Sequence, residues 1–72
     1  MQLIEIFKTD IDCPIQAKKI VEQIHNTFTT YKANFDLEDC DRILRVVVDD
    51  HIAVTNFIDW LKGQGCNATI FN

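Results

Sequence analysis

Tyr31-Lys32-Ala33-Asn34-Phe35-Asp36-Leu37-Glu38-Asp39-Cys40-Asp41-Arg42-Ile43-Leu44-Arg45-Val46-Val47-Val48 is the stretch on which the fold turns. In its first half Tyr31, Ala33, Phe35 and Leu37 alternate with Lys32, Asn34 and Asp36, the two-residue period of a strand with one face buried and one wet. Glu38-Asp39-Cys40-Asp41 is a polar tetrad of turn-forming residues. Ile43 to Val48 is a valine-rich run that packs well on a pleated surface and poorly in a helix. Together they predict an antiparallel hairpin.

Upstream, Leu3 to Thr9 has strand length and strand chemistry, with Leu3, Glu5, Phe7 and Thr9 on one face and Ile4, Ile6 and Lys8 on the other. A polar turn at Asp10 to Asp12 leads to Pro14, which suits the first turn of a helix, with Asp12 or Cys13 as its cap. Ala17, Ile20, Val21, Ile24 and Phe28 then recur at three- and four-residue spacing, the apolar stripe of an amphipathic helix. Thr27, Thr29 and Thr30, poor helix formers, end it before the hairpin. Downstream, Asp49 to Ala53 connects to a short helix capped by Thr55, with Phe57, Ile58 and Leu61 inward and Gly63 and Gly65 at its end. Cys66 to Phe71 closes the chain as a strand. The order is β-α-β-β-α-β, and with right-handed crossovers it gives an α+β class, ferredoxin-like sandwich: a four-stranded antiparallel sheet with both helices on one face.

Seventy-two residues suffice for a single domain, spanning 1–72. The apolar fraction of 47% and charged fraction of 25% are those of a chain that folds. Seven Lys and Arg against eleven Asp and Glu leave a net charge of −4, which repels phosphate backbones and argues against nucleic acid as a partner. Three scattered cysteines do not read as a secreted disulfide framework, and neither a signal peptide nor a membrane-spanning run is expected from this sequence. The expected location is cytoplasmic, with no membrane partner.

Phe7-Lys8-Thr9-Asp10-Ile11-Asp12-Cys13 and the Gly65-Cys66 junction before the last strand resemble the heavy-metal-associated domain, the module of small copper chaperones and of the N-terminal segments of metal-pumping ATPases. The resemblance spans nearly the whole chain. That family carries Met-x-Cys-x-x-Cys in its first loop. Here Ile11 stands in the place of the buried methionine, Cys13 in that of the first cysteine and Gln16 in that of the second, so the metal motif is degenerate. A cysteine, Cys66, also stands where an aromatic or lysine is typical of the family. The resemblance implies the ferredoxin-like fold, and it implies that Phe7 and Thr9 point to the helices while Ile4 and Ile6 point away.

Two candidate sites follow. Cys13 is expected at the start of a helix, where free amides favour a thiolate, and Cys66 in a turn at the same end of the sheet. Together they would hold Cu(I) or Zn(II), or close a redox disulfide if their Cα atoms come within about 7 Å. Cys40 is expected at the opposite end. The second site is the open sheet face, where Ile4, Ile6, Ile43, Val47 and Phe71 would form an exposed apolar patch. Trp60 is either a core lid or an interface anchor.

His25 reads as a half-buried flank residue, His51 beside Asp49 and Asp50 as part of a solvated turn, and Asp36, Glu38, Asp39 and Asp41 as an acidic hairpin tip that Arg42 and Arg45 pair with. Nucleophile–base pairs, phosphate loops and paired carboxylates are missing from the pattern, so no enzyme is expected. The leading expectation is a non-enzymatic interaction or regulatory module with no bound cofactor, docking a protein partner or a second copy on the open sheet face. The alternative is soft-metal trafficking or thiol redox sensing through Cys13 and Cys66.

Overall fold

The computed structural model describes residues 3–38, 40–49 and 53–71. Strands β1 (Leu3–Thr9), β2 (Lys32–Asp36), β3 (Ile43–Val48) and β4 (Ala68–Ile70) form one antiparallel sheet in the order β2-β3-β1-β4. Helices α1 (Pro14–Thr27) and α2 (Val54–Gly63) connect them in the order β-α-β-β-α-β. This is the ferredoxin-like α+β sandwich. No described helix is long and apolar enough to cross a membrane.

Register decides which side chains meet the helices. Phe7 lies opposite Leu44 and Glu5 opposite Val46, while Leu44 and Val46 in turn face Phe35 and Ala33. Phe7, Leu44 and Val46 are wholly buried, and they pack with Ala17, Ile20 and Ile24 of α1 and Phe57 and Leu61 of α2. The alternate set, Ile4, Ile6 and Lys8 against Val47, Arg45 and Ile43, lies on the other face, which carries no helix. The direction expected for Phe7 and Ile4 is the one observed.

Both helix starts lack side-chain caps. Cys13 is the N-cap of α1 and makes no capping hydrogen bond, so Pro14, which has no amide to satisfy, sets the first turn. Helix α2 begins at Val54 with Ala53 as N-cap, two residues ahead of the start expected with Thr55 as cap. Its far end is a Schellman turn. Gly65 takes φ +86, its amide donates to the Lys62 carbonyl at 3.0 Å, and the Cys66 amide donates to the Leu61 carbonyl at 2.9 Å. The glycine is required by that left-handed backbone.

At the opposite end from that turn, an aromatic cluster closes the core. Phe28 stacks on Tyr31 at 4.9 Å and meets Phe57 edge-on at 5.4 Å, and Phe57 in turn lies 5.5 Å from Phe7. Such pairs contribute roughly 0.5–1.5 kcal/mol each beyond burial.

Candidate functional site

The β1–α1 loop and the α2–β4 turn are tied together, as expected. The Asp10 carboxylate accepts from the Asn67 backbone amide at 3.1 Å and from its side-chain amide at 2.8 Å. The Asn67 side chain holds the Asp10 carboxyl below its usual 3.8. Gln16 Nε2 reaches the Gly65 carbonyl at 3.5 Å.

The two thiols, however, occupy different environments. Cys13 is exposed at the head of α1, whereas Cys66 is wholly buried in the core beside Leu61, Ala68 and their neighbours. The Schellman turn explains this: the residue after its glycine points back onto the last helical turn, which is where a small apolar side chain packs. Burial, with a smaller contribution from the Asp10 carboxylate, pushes the Cys66 thiol up to about 12 from an ordinary 9.0. At neutral pH it is a protonated core residue. Ile11 is likewise buried.

Cys40 requires a correction. It lies in the β2–β3 turn, which sits at the same end as Cys13, because β2 runs parallel to β1 when both are antiparallel to β3. The contacts are direct: the Thr9 amide donates to the Asp41 carbonyl at 3.2 Å, and the Thr9 hydroxyl donates to the Arg42 carbonyl at 2.6 Å. Cys40 is exposed there. Among the described residues no group of three or more His, Cys, Asp or Glu side chains is arranged to hold a metal ion.

The open sheet face carries Ile4 at 58% exposure, Phe71 at 39%, and Ile6 and Val47 partly exposed. Ile43 is corrected: it shares this face but is buried, standing at the turn end of β3 between Lys8 and Asp36 in register. The apolar strip is therefore Ile4, Ile6, Val47 and Phe71. Around it stand three exposed cations, Lys8, Lys32 and Arg45, with Asp36 at one corner. The Lys8 ammonium lies 5.3 Å from the Phe71 ring centroid and 3.9 Å from Asp41. The Phe71 amide bonds the Ile6 carbonyl at 2.8 Å, which holds that ring beside the strip.

Trp60 is not on this surface. It is half-buried on α2, edge-on to Phe28 at 5.1 Å and stacked with Phe57 at 6.1 Å, a lid on the aromatic cluster. His25 is a hydrogen-bond acceptor: its Nε2 receives the Ala33 amide at 3.0 Å. Arg42 donates to the Leu37 carbonyl at 3.4 Å. His51, Asp39 and Asp50 lie outside the described residues.

Two features escape the sequence reading. Ile15 is 72% exposed next to Cys13; its position off the stripe of Ala17, Ile20 and Ile24 is the signal that marks it. The second is a groove of about 780 Å³ between α1 and β2, floored by Ala17, Val21, Ala33, Phe35 and Leu37. No sequence period announces it, because it depends on how far the helix stands from the sheet edge. The chain matches no protein-family model and no curated protein.

Proposed function

We propose that this chain is a non-enzymatic, cytoplasmic interaction module that docks a protein partner on its open sheet face. The observation that carries this reading is the uncovered strip of Ile4, Ile6, Val47 and Phe71, since monomers rarely leave contiguous apolar surface on a sheet face without a use for it. Charge selects the occupant. Lys8, Lys32 and Arg45 outnumber Asp36 on this face, although the chain's net charge is −4, so two copies laid face to face would oppose cation to cation. The partner that fits is an amphipathic helix with an apolar face and acidic flanks, the element that ordinarily covers a sheet in layered architectures. Three thiols without a disulfide among them fit a reducing compartment.

The heavy-metal-associated resemblance supports the scaffold for this role. Cu(I) or Zn(II) trafficking through Cys13 and Cys66 is the weaker reading, because two soft thiolates must converge on one ion and Cys66 is a buried, protonated thiol.

The test is binding of a labelled amphipathic helical peptide built from Leu and Glu, followed by fluorescence anisotropy. Ile6→Lys is expected to abolish binding and Lys32→Glu/Arg45→Glu to weaken it about tenfold or more, in line with loss of complementary rim charge. Binding indifferent to both variants removes the open face from the account.

A further inference from the structure

Strand β2 is an edge of the sheet, and a hydrogen bond from Ala33 to His25 lies on its free side. The Ala33 amide donates to His25 rather than to β3, so Ala33 and Phe35 direct their backbone groups outward, while Lys32, Asn34 and Asp36 exchange theirs with β3. The outward amide and carbonyl of Phe35 have no hydrogen-bonding partner among the described residues. Unpaired edge groups of this kind are a template for another strand.

The sequence of that edge is Lys32-Ala33-Asn34-Phe35-Asp36, and it is complementary to itself when reversed. We propose that β2 pairs with β2 of a second copy, antiparallel and centred on Asn34, joining two sheets into one across a twofold axis. In this register Lys32 stands opposite Asp36 of the second copy, and Asp36 opposite its Lys32. Both ion pairs lie on the open face, where all four side chains are exposed. Asn34 meets Asn34. On the helix side Ala33 stands opposite Phe35 of the second copy, a small residue against a large one, and each ring enters the groove over Ala33 and Val21 of its neighbour.

The hydrogen-bond parity agrees with this register. Ala33 and Phe35, whose backbone groups point outward, face each other across the axis and exchange both N–H to C=O bonds. The Ala33 amide leaves His25 for the Phe35 carbonyl, and the Phe35 amide gains an acceptor. A shift of two residues along the strand keeps the parity but sets Lys32 opposite Asn34 or moves it beyond the strand, losing the paired charges. The self-complementary patch is what an isologous twofold contact demands. The inference is independent of what docks on the open face.

Analytical ultracentrifugation of the full chain, at concentrations up to about 1 mM, the weak limit of useful affinity, tests it. The wild type is expected to form a dimer. Lys32→Asp alone, or Asp36→Lys alone, is expected to weaken the dimer by about tenfold, because each sets like charges opposite one another twice. The double variant Lys32→Asp/Asp36→Lys restores complementarity and is expected to return dimerisation to the wild-type level. Circular dichroism confirms that each variant is folded, and the rescue distinguishes a pairing effect from a loss of structure. A monomer throughout, a dimer indifferent to the single reversals, a failed rescue, or a dimer lost on Ile6→Lys instead, each overturns the proposal.

Discussion

His25 Nε2 accepts the Ala33 amide at 3.0 Å and so ties the last turn of α1 to the free edge of β2. The bond has two consequences: it satisfies an edge amide that would otherwise face solvent, and it fixes which of the β2 backbone groups remain available. Replacing the imidazole by His25→Ala is expected to lower stability by about 1 kcal/mol, the usual net contribution of one hydrogen bond. Urea denaturation measures that loss, and amide exchange at Ala33 should accelerate in the same variant. Unchanged exchange there contradicts the assignment.

The thiols should separate by reactivity. Cys13 and Cys40 are exposed and Cys66 is buried, so a thiol reagent at neutral pH is expected to modify the first two and spare the third until the protein unfolds. In an anaerobic titration with Cu(I), no site requiring both Cys13 and Cys66 is expected at that pH. Rapid modification of Cys66 in the folded protein would sink this account of the α2–β4 turn.

Alkali acts through the same residue. The folded thiol keeps its proton up to about 12 while an unfolded one releases it near 9.0, so between these values the folded state holds more protons. Its stabilising contribution is complete below 9.0 and is lost as pH rises through the folded value, at up to about 1.4 kcal/mol per pH unit. Thermal denaturation between pH 8 and pH 11 should show the decline, and Cys66→Ala should flatten it, on a scale of roughly one unit of pKa per tenfold population change.

Asp10 responds to acid in the opposite sense. Its carboxyl is held below the usual 3.8 by Asn67, so its contribution is present above that value and is lost as pH falls through the lower, folded one. Because Asp10 is exposed, the effect is small. Asn67→Ala should remove it, which a comparison of melting temperature against pH for the two proteins would reveal.

Phe57 joins Phe7, Phe28, Tyr31 and Trp60 into one cluster. Phe57→Ala is expected to cost roughly 3–5 kcal/mol, the range for a large aromatic truncated in a core. Trp60→Ala should cost less, since that ring is only half-buried, and the order of the two urea midpoints is the check.

The fold was legible because its signals are periodic. The alternation across Tyr31 to Leu37, the valine run of β3 and the stripe from Ala17 to Ile24 each have a period that only one kind of element satisfies. The candidate sites were less legible, since they depend on where a turn aims one side chain. Gly65 marked the end of α2, but the burial of Cys66 follows from the Schellman hydrogen bonds rather than from any spacing. Cys40 lies at the end opposite to the expected one because the direction of β2 relative to β1 follows only from both pairings through β3. Ile43 has the parity of an exposed residue, and its neighbours in register decide that it is covered. The role of His25 is invisible in sequence, as its partner is a backbone amide eight positions away.

The central claim is that the strip of Ile4, Ile6, Val47 and Phe71, with its rim of Lys8, Lys32 and Arg45, is a docking face for an acid-flanked apolar helix. Amide chemical-shift mapping during titration with helical Leu–Glu and Leu–Lys peptides tests it most directly. The account predicts saturable shifts with the Leu–Glu peptide, confined to β1, β3 and the Phe71 amide and lost in Ile6→Lys. Shifts centred on α1 and α2, or equal binding of the Leu–Lys peptide, would contradict it.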